Sequence, residues 1–125
     1  MLKPNAILLS IVLTIAFSPL ARAQSIVRPD VVYGHKYGLA LTYDVFAPEE
    51  KANGAAVLFI VSGGWYSRWS PPKQMQQLAK PLTDKGFTVF AVRHGSSPKF
   101  SIPEAVSDVR RSVRHIRLNA KKLKI

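Results

Sequence analysis

Residues 55–62 read AAVLFIVS, a continuously apolar and largely β-branched run that stops at Gly63 and Gly64. A run of this kind is typical of a strand that is buried on both faces of a parallel sheet. A second such run, FTVFAV at residues 87–92, follows a segment with a helical pattern. Because parallel neighbours need a crossover connection, this order predicts a strand–helix–strand unit inside an α/β domain.

The segment between the two apolar runs predicts a helix over residues 73–85. Gly86 follows as its expected C-cap, and Pro81 lies inside the pattern, where proline kinks or splits a helix. The apolar stripe of this helix consists of Met75, Leu78, Ala79 and Leu82.

The clearest helix start lies at Ser101, where Ser101 and Glu104 form an S-x-x-E capping box. The helix that follows carries an apolar arc at helical spacing, and we expect this arc to face the core. Asp108 and His115 fall outside the arc, so both are expected to face solvent. The arc consists of Val106, Val109, Val113, Ile116 and Ala120.

Residues 30–48 alternate between apolar and polar side chains and predict a hairpin with strands at residues 31–35 and 39–46. A hairpin followed by strand, helix, strand and helix gives a mixed, mostly parallel sheet. A parallel strand is expected after the last helix, but the sequence ends at residue 125. The last strand of such a sheet has an open edge, which predicts self-association.

The N-terminus has the pattern of a signal peptide over residues 1–23, with Ala21 and Ala23 at the cleavage-site positions. The mature domain is then residues 24–125, and the protein is expected to be secreted or periplasmic, with no membrane partner after cleavage. An uncleaved anchor helix is the alternative. The chain has no cysteine, which excludes disulfides and cysteine-based catalysis.

The formal charge is +11, and much of the excess lies in one C-terminal segment. Long basic stems beside an apolar arc can cover that arc while their heads remain in water, so no nucleic-acid partner is expected. A basic module that binds an anionic polymer is the alternative. The segment has no acid after Asp108, and its basic residues are Arg110, Arg111, Arg114, Arg117, Lys121, Lys122 and Lys124.

The ordered motifs VLFIVSGGWYS and LAKPLTDKGFTVFAVRHGSSPKFSIPEAVSDVRRSVRHIRLNA resemble the N-terminal part of an α/β-hydrolase of the esterase/lipase type. They are similar to secreted acetyl-xylan and feruloyl esterase-like members. The resemblance implies that the backbone N–H groups of Gly64 and Trp65 form an oxyanion hole, and that Gly63, Trp65 and Trp69 line the substrate site. Ser62 stands where the family usually has histidine, a departure expected to weaken hydrogen bonding in the loop. Tryptophans that simply pack beside a tight turn are the alternative.

The resemblance also implies a serine nucleophile in a Gly-x-Ser-x-Gly elbow, which this sequence does not contain. We therefore expect an ester hydrolase without its nucleophile, acid and histidine, inactive by itself, whose completed form acts on a small ester or an acylated carbohydrate. A peptidase or acyltransferase of the same fold remains an alternative. His35, His94 and His115 are interpreted as hairpin, loop and surface residues, and Asp44 is a candidate to pair with a nearby base. No cofactor is expected, and no two histidines have the spacing of metal ligands.

Overall fold

The computed structural model describes residues 25–125, which form one four-stranded mixed sheet with helices on its two faces. The predicted signal peptide at residues 1–23 lies outside the described residues. The strands are β1 (Ile26–Lys36), β2 (Leu39–Ala47), β3 (Ala56–Ile60) and β4 (Thr88–Val92), and the helices are α1 (Pro72–Thr83), α2 (Ile102–Leu118) and α3 (Ala120–Leu123). In the described part of the chain, no helix is long and apolar enough to cross a membrane.

The predicted hairpin is confirmed, since β1 and β2 pair antiparallel with Lys36 opposite Leu39. Its two-residue turn has positive φ at both positions, 46° at Tyr37 and 78° at Gly38. These angles are typical of a type I′ turn, whose twist matches that of paired strands. Strand β1 begins five residues before the predicted hairpin strand and shifts register between Arg28 and Val31.

The sheet order is β1-β2-β4-β3, with β2 antiparallel and β3 parallel to β4. This order corrects two expectations: that the last strand carries the open edge of the sheet, and that the run at residues 55–62 is buried on both faces. Strand β4 lies between two neighbours and is buried throughout, so it does not carry the open edge. Strand β3 lies at the edge of the described sheet instead, and Phe59 is 46% exposed there.

The two helices that flank the sheet pack against opposite faces. Met75 and Ala79 of α1 join Phe46, Val89 and Ala91 in one buried cluster. On the other face, Ile116 of α2 joins a cluster from the strands, whose other members are Tyr33, Leu41, Tyr43, Val45, Phe90 and Val92.

Helix α1 departs from its prediction in two respects. It continues through Pro81 to Thr83, so the proline does not split it; only two helical residues follow Pro81, which leaves little helix to disrupt. Leu78 belongs to the predicted apolar stripe but is 65% exposed, because it points toward the open side of β3. Gly86 has φ +87° just after the helix, the left-handed conformation that glycine adopts readily.

Helix α2 turns a different face to the core from the predicted arc. Its N-terminus is as expected, with the Glu104 carboxylate accepting the Ser101 backbone N–H at 2.8 Å. However, Val106 is exposed, whereas the polar residues Asp108 and Ser112 are buried. The expectation that Asp108 faces solvent is therefore wrong, and the reason is that it has buried partners, described below.

Candidate active site

The double glycine after β3 forms a tight turn at the carboxyl end of that strand. The Gly63 N–H donates to the Tyr66 carbonyl at 2.9 Å, and the Tyr66 N–H donates back to the Gly63 carbonyl at 3.0 Å. The two central residues have positive φ, 56° at Gly64 and 66° at Trp65. Positive φ at both central positions is the signature of a type I′ turn.

Two backbone donors of this turn are left without a partner in residues 25–125. Gly64 and Trp65 are both exposed, and their N–H groups donate no hydrogen bond to any described group. The N–H of Gly63, in contrast, is used inside the turn. The oxyanion donors expected from the sequence are thus the two unbonded amides of the turn.

Hydrogen bonds fasten the turn to the loop that follows β4. The Ser97 N–H donates to the Trp65 carbonyl at 3.1 Å. The Ser67 N–H donates to the Ser96 hydroxyl at 2.9 Å, and the Ser96 hydroxyl donates to the Ser67 carbonyl at 3.1 Å. The Ser67 hydroxyl in turn donates to the Val61 carbonyl at 2.6 Å. The unbonded amides therefore lie on a turn whose two flanks are held.

A serine–histidine pair lies at the base of the turn, where the sequence indicated a weakened loop and an ordinary loop histidine. The Ser62 hydroxyl is 2.9 Å from His94 Nε2, and His94 Nδ1 is 2.8 Å from the Gly95 carbonyl oxygen. His94 is buried and Ser62 is exposed. Serine in place of the family histidine at position 62 was expected to weaken hydrogen bonding in this loop. The imidazole of His94, at the end of the neighbouring strand, provides a hydrogen bond to Ser62 instead.

Asp108 holds the next peptide of the same loop. Its Oδ2 accepts the Gly95 N–H at 3.0 Å, and Lys36 Nζ lies 3.2 Å from the same oxygen. This arrangement is the physical reason that α2 buries a carboxylate, since a buried charge needs both a hydrogen-bond donor and a counter-charge. No signal in the helical periodicity distinguishes this inward aspartate from an exposed one.

His115 is also turned inward rather than to solvent, which corrects a second expectation for α2. Its Nδ1 lies 3.1 Å from the Tyr43 hydroxyl, and the residue is half-buried. Burial raises the pKa of Tyr43 above its usual range, because the charged phenolate would be poorly solvated there. His115 and Tyr43 therefore form a structural pair under the sheet. His35 lies in the exposed part of β1.

Asp44 pairs with a cation and not with a base. Its two oxygens each lie 2.8 Å from a guanidinium nitrogen of Arg93, and it also accepts the Asp30 N–H at 2.9 Å. Both contacts join one carboxylate to one guanidinium, so this bidentate pair anchors the residue that follows β4. The Arg93 carbonyl accepts a hydrogen bond from the Tyr33 hydroxyl, and burial raises the pKa of Tyr33 well above its usual range.

An open groove of about 380 Å³ lies beside the turn. Gly63 lines it together with Ser62, Tyr66, Arg68 and Ser70, and the role of Gly63 in substrate binding stays a prediction. Trp65 and Trp69 are 45% and 58% exposed but do not line this groove. Their role toward substrate stays a prediction.

The mixed sheet, the helices on both faces and the glycine turn after β3 define an α/β-hydrolase of the esterase type. The model of the BD-FAE family, an esterase-type family of this fold, matches residues 43–125. The chain therefore belongs to the BD-FAE family.

Individual relatives support the same assignment. Kynurenine formamidase from Danio rerio is 35% identical over 94 residues, which cover 74% of this chain and 31% of the relative. A truncated form of a carbohydrate esterase from gut microbiota superposes with a TM-score of 0.68 at 26% identity, covering 86% of this chain and 38% of that one. An esterase from the planctomycete Thermogutta terrifontis superposes with a TM-score of 0.64 at 20% identity, covering 82% of this chain and 36% of that one, and shows the fold alone. The chain thus spans about a third of the length of these relatives.

Proposed function

We propose that this chain contributes the oxyanion-binding part of a serine carboxylic ester hydrolase. The observation that carries the proposal is the pair of exposed, unbonded amides of Gly64 and Trp65 at the carboxyl end of β3. Ligands of α/β sheets collect at the carboxyl ends of the strands. Two N–H donors there can stabilise the negative charge that develops on a carbonyl oxygen during acyl transfer.

In the proposed mechanism, a serine attacks the ester carbonyl and a histidine accepts its proton, while Gly64 and Trp65 donate to the oxyanion. The serine of a Gly-x-Ser-x-Gly elbow, its histidine and its acid are proposed to lie outside these 125 residues, because the sequence has no such elbow. The chain by itself is then expected to show no steady-state hydrolysis of p-nitrophenyl acetate above a heat-denatured sample. A sustained rate above that control would contradict the proposal.

The oxyanion role itself is tested by NMR titration of the 125-residue chain with a phosphonate monoester, which mimics a tetrahedral oxyanion. The amide resonances of Gly64 and Trp65 are expected to shift in a saturable way. Gly54 is the matched control, because it is an exposed glycine with φ +78° and open space where a Cβ would lie. Equal shifts at Gly54 would show general attraction of anions to a basic chain and would contradict the proposal.

The proposed substrate is a small ester or an acylated carbohydrate, and the similarity to a carbohydrate esterase supports the latter. A peptidase or acyltransferase of this fold would use the same oxyanion donors, and the similarity to kynurenine formamidase favours adding a formamide to the substrate panel. Secretion or export to the periplasm is proposed from residues 1–23, and N-terminal sequencing of the exported protein is expected to begin at Gln24.

The alternative, a module that binds anionic polymer, would use the exposed basic residues of α2 and α3. Binding of heparin that falls steeply with salt concentration, and that is lost when Arg110, Arg114 and Arg117 are changed to glutamine, would favour this alternative.

A further inference from the structure

The pair formed by Ser62 and His94 has the geometry of a nucleophile with its base. Ser62 follows β3 and His94 follows β4, two parallel neighbours whose carboxyl ends lie side by side. The hydroxyl oxygen and Nε2 are 2.9 Å apart, within the range of activated serines. The serine is exposed to the groove beside the turn, and the imidazole is buried behind it.

The second nitrogen of the ring fixes the direction of this hydrogen bond. The Gly95 carbonyl oxygen, 2.8 Å from His94 Nδ1, can only accept, so Nδ1 carries the proton. In the neutral ring, Nε2 then has a lone pair and accepts the proton of the Ser62 hydroxyl. The preceding peptide of Gly95 is also held, because the Gly95 N–H donates to Asp108 at 3.0 Å. The base is thus oriented by a fixed third group, as nucleophilic catalysis requires.

We propose that Ser62 is itself an acyl acceptor, activated by His94. The Ser62 oxygen forms a bond to the carbonyl carbon of an activated ester, and its proton moves to His94 Nε2. As the tetrahedral intermediate collapses, the bond from that carbon to the leaving oxygen breaks, and the proton passes from Nε2 to the leaving group. The products are O-acyl-Ser62, the free alcohol or phenol, and neutral His94.

This reaction goes beyond the proposed function, because it places a nucleophile within the described residues and needs no elbow serine. It is a slow reaction, since a neutral carbonyl, and not a carboxylate, faces Nδ1. Loss of the carboxylate from a serine protease triad lowers kcat by about 10⁴-fold. An acylserine is also a much poorer electrophile than a p-nitrophenyl ester. Ser62 is therefore expected to be acylated once per chain without sustained turnover.

The test is a pre-steady-state measurement with p-nitrophenyl acetate on the 125-residue chain. We expect a burst of about one p-nitrophenolate per chain and an acetyl group on the peptide that contains Ser62, since general-base assistance gives about 10²-fold or more over unassisted attack. Peptide mapping separates this product from acetylated lysines. Ser62→Ala abolishes the burst, whereas Ser107→Ala, at an exposed serine of α2 outside the groove, leaves it unchanged.

His94→Asn keeps a donor near the Gly95 carbonyl but removes Nε2, so it is expected to slow acetylation of Ser62 by about 10²-fold or more. Far-UV circular dichroism checks that each variant is folded, and His94→Asn provides the test if Ser62→Ala does not fold. Acetyl groups on lysines only, or equal rates of Ser62 acetylation with and without His94, would overturn the inference. A steady rate above the heat-denatured control contradicts the proposed function instead, so the two proposals fail separately.

Discussion

Replacing Asp44 by asparagine is expected to remove a large part of the stability of this domain. Asp44 is fully buried, and its carboxylate accepts two hydrogen bonds of 2.8 Å from Arg93, which is 8% exposed. The variant keeps the side-chain volume but leaves the guanidinium buried without its principal counter-charge. Asp30 retains one contact of 2.8 Å to the guanidinium, but its side chain is half-exposed.

Removing one partner of a buried ion pair destabilises a protein by about 3–5 kcal/mol. The surviving contact to Asp30 places Asp44→Asn near the lower end, at about 3 kcal/mol. The free energy of unfolding of a domain of this size is about 5–15 kcal/mol, so the variant loses a substantial fraction of it. It corresponds to a decrease of about 12 °C or more in Tm. Urea unfolding and thermal unfolding, both followed by circular dichroism, measure the two quantities.

Asp84→Asn is the matched control, because Asp84 forms an ion pair with Lys80 of 2.6 Å in which the aspartate side chain is 52% exposed. This variant is expected to lose only about 0.3–0.5 kcal/mol, as exposed i,i+4 pairs do. A loss of less than about 1 kcal/mol in Asp44→Asn would refute the reasoning, which rests on the desolvation of Arg93. The double variant Asp44→Leu, Arg93→Met is expected to lose less free energy of unfolding than Asp44→Asn, because it leaves no unpaired buried charge.

Four other perturbations test individual contacts. Gly86→Ala is expected to lose about 1–2 kcal/mol or more, since φ is +87° and the new Cβ would lie 2.5 Å from a backbone carbonyl; denaturant unfolding measures it. Burial raises the pKa of Tyr33 above its ordinary value of 10.0, so the contribution of Tyr33 to the free energy of unfolding is full below pH 10 and is lost as the pH rises further. Tyr33→Phe is expected to reduce this alkaline loss of stability, which urea unfolding at a series of pH values measures. The hydrogen bond from the Ser101 backbone lowers the pKa of Glu104 below 4.5, so its contribution is lost as pH falls through that lowered value, and Glu104→Gln is expected to remove this acid dependence of Tm. Phe59→Lys on the edge strand is expected to reduce concentration-dependent self-association in sedimentation velocity.

Local patterns were sufficient to predict most elements of this fold. The hairpin, both apolar strands, α1 and the capping residues of α2 are encoded by side-chain periodicity and turn formers within a few residues. The order of the strands is not encoded in this way. The runs at residues 55–62 and 87–92 look equivalent in sequence, yet β4 is central and β3 is at the edge of the described sheet. Strand order depends on contacts between distant residues, which periodicity does not contain.

The geometry of the candidate site was predictable only at the turn after β3, which a few adjacent residues determine. Two adjacent glycines after an apolar run indicated a special backbone conformation, and the turn at Gly64 has positive φ. The partner of Ser62 was not predictable, since it lies 32 residues away and meets Ser62 only because β3 and β4 are parallel. The inward face of α2 was misjudged for a related reason. Hydrophobicity ranks Asp108 as a surface residue, while its distant partners make burial favourable.

Two apolar residues on the α1 side of the sheet, Phe59 and Leu78, were expected to be buried but are exposed, and the exposure of both has the same cause. Both residues line a second, apolar groove between β3 and α1, distinct from the groove beside the glycine turn. They are exposed because no described strand pairs with that side of β3. An apolar sequence pattern indicates which side chains favour burial. Whether they are in fact buried depends on the elements that pack against them. The glycine turn follows β3 and therefore also lies at the edge of the described sheet. The amides of Gly64 and Trp65, proposed above as oxyanion donors, lie on the turn that follows this edge strand, and both residues are exposed there.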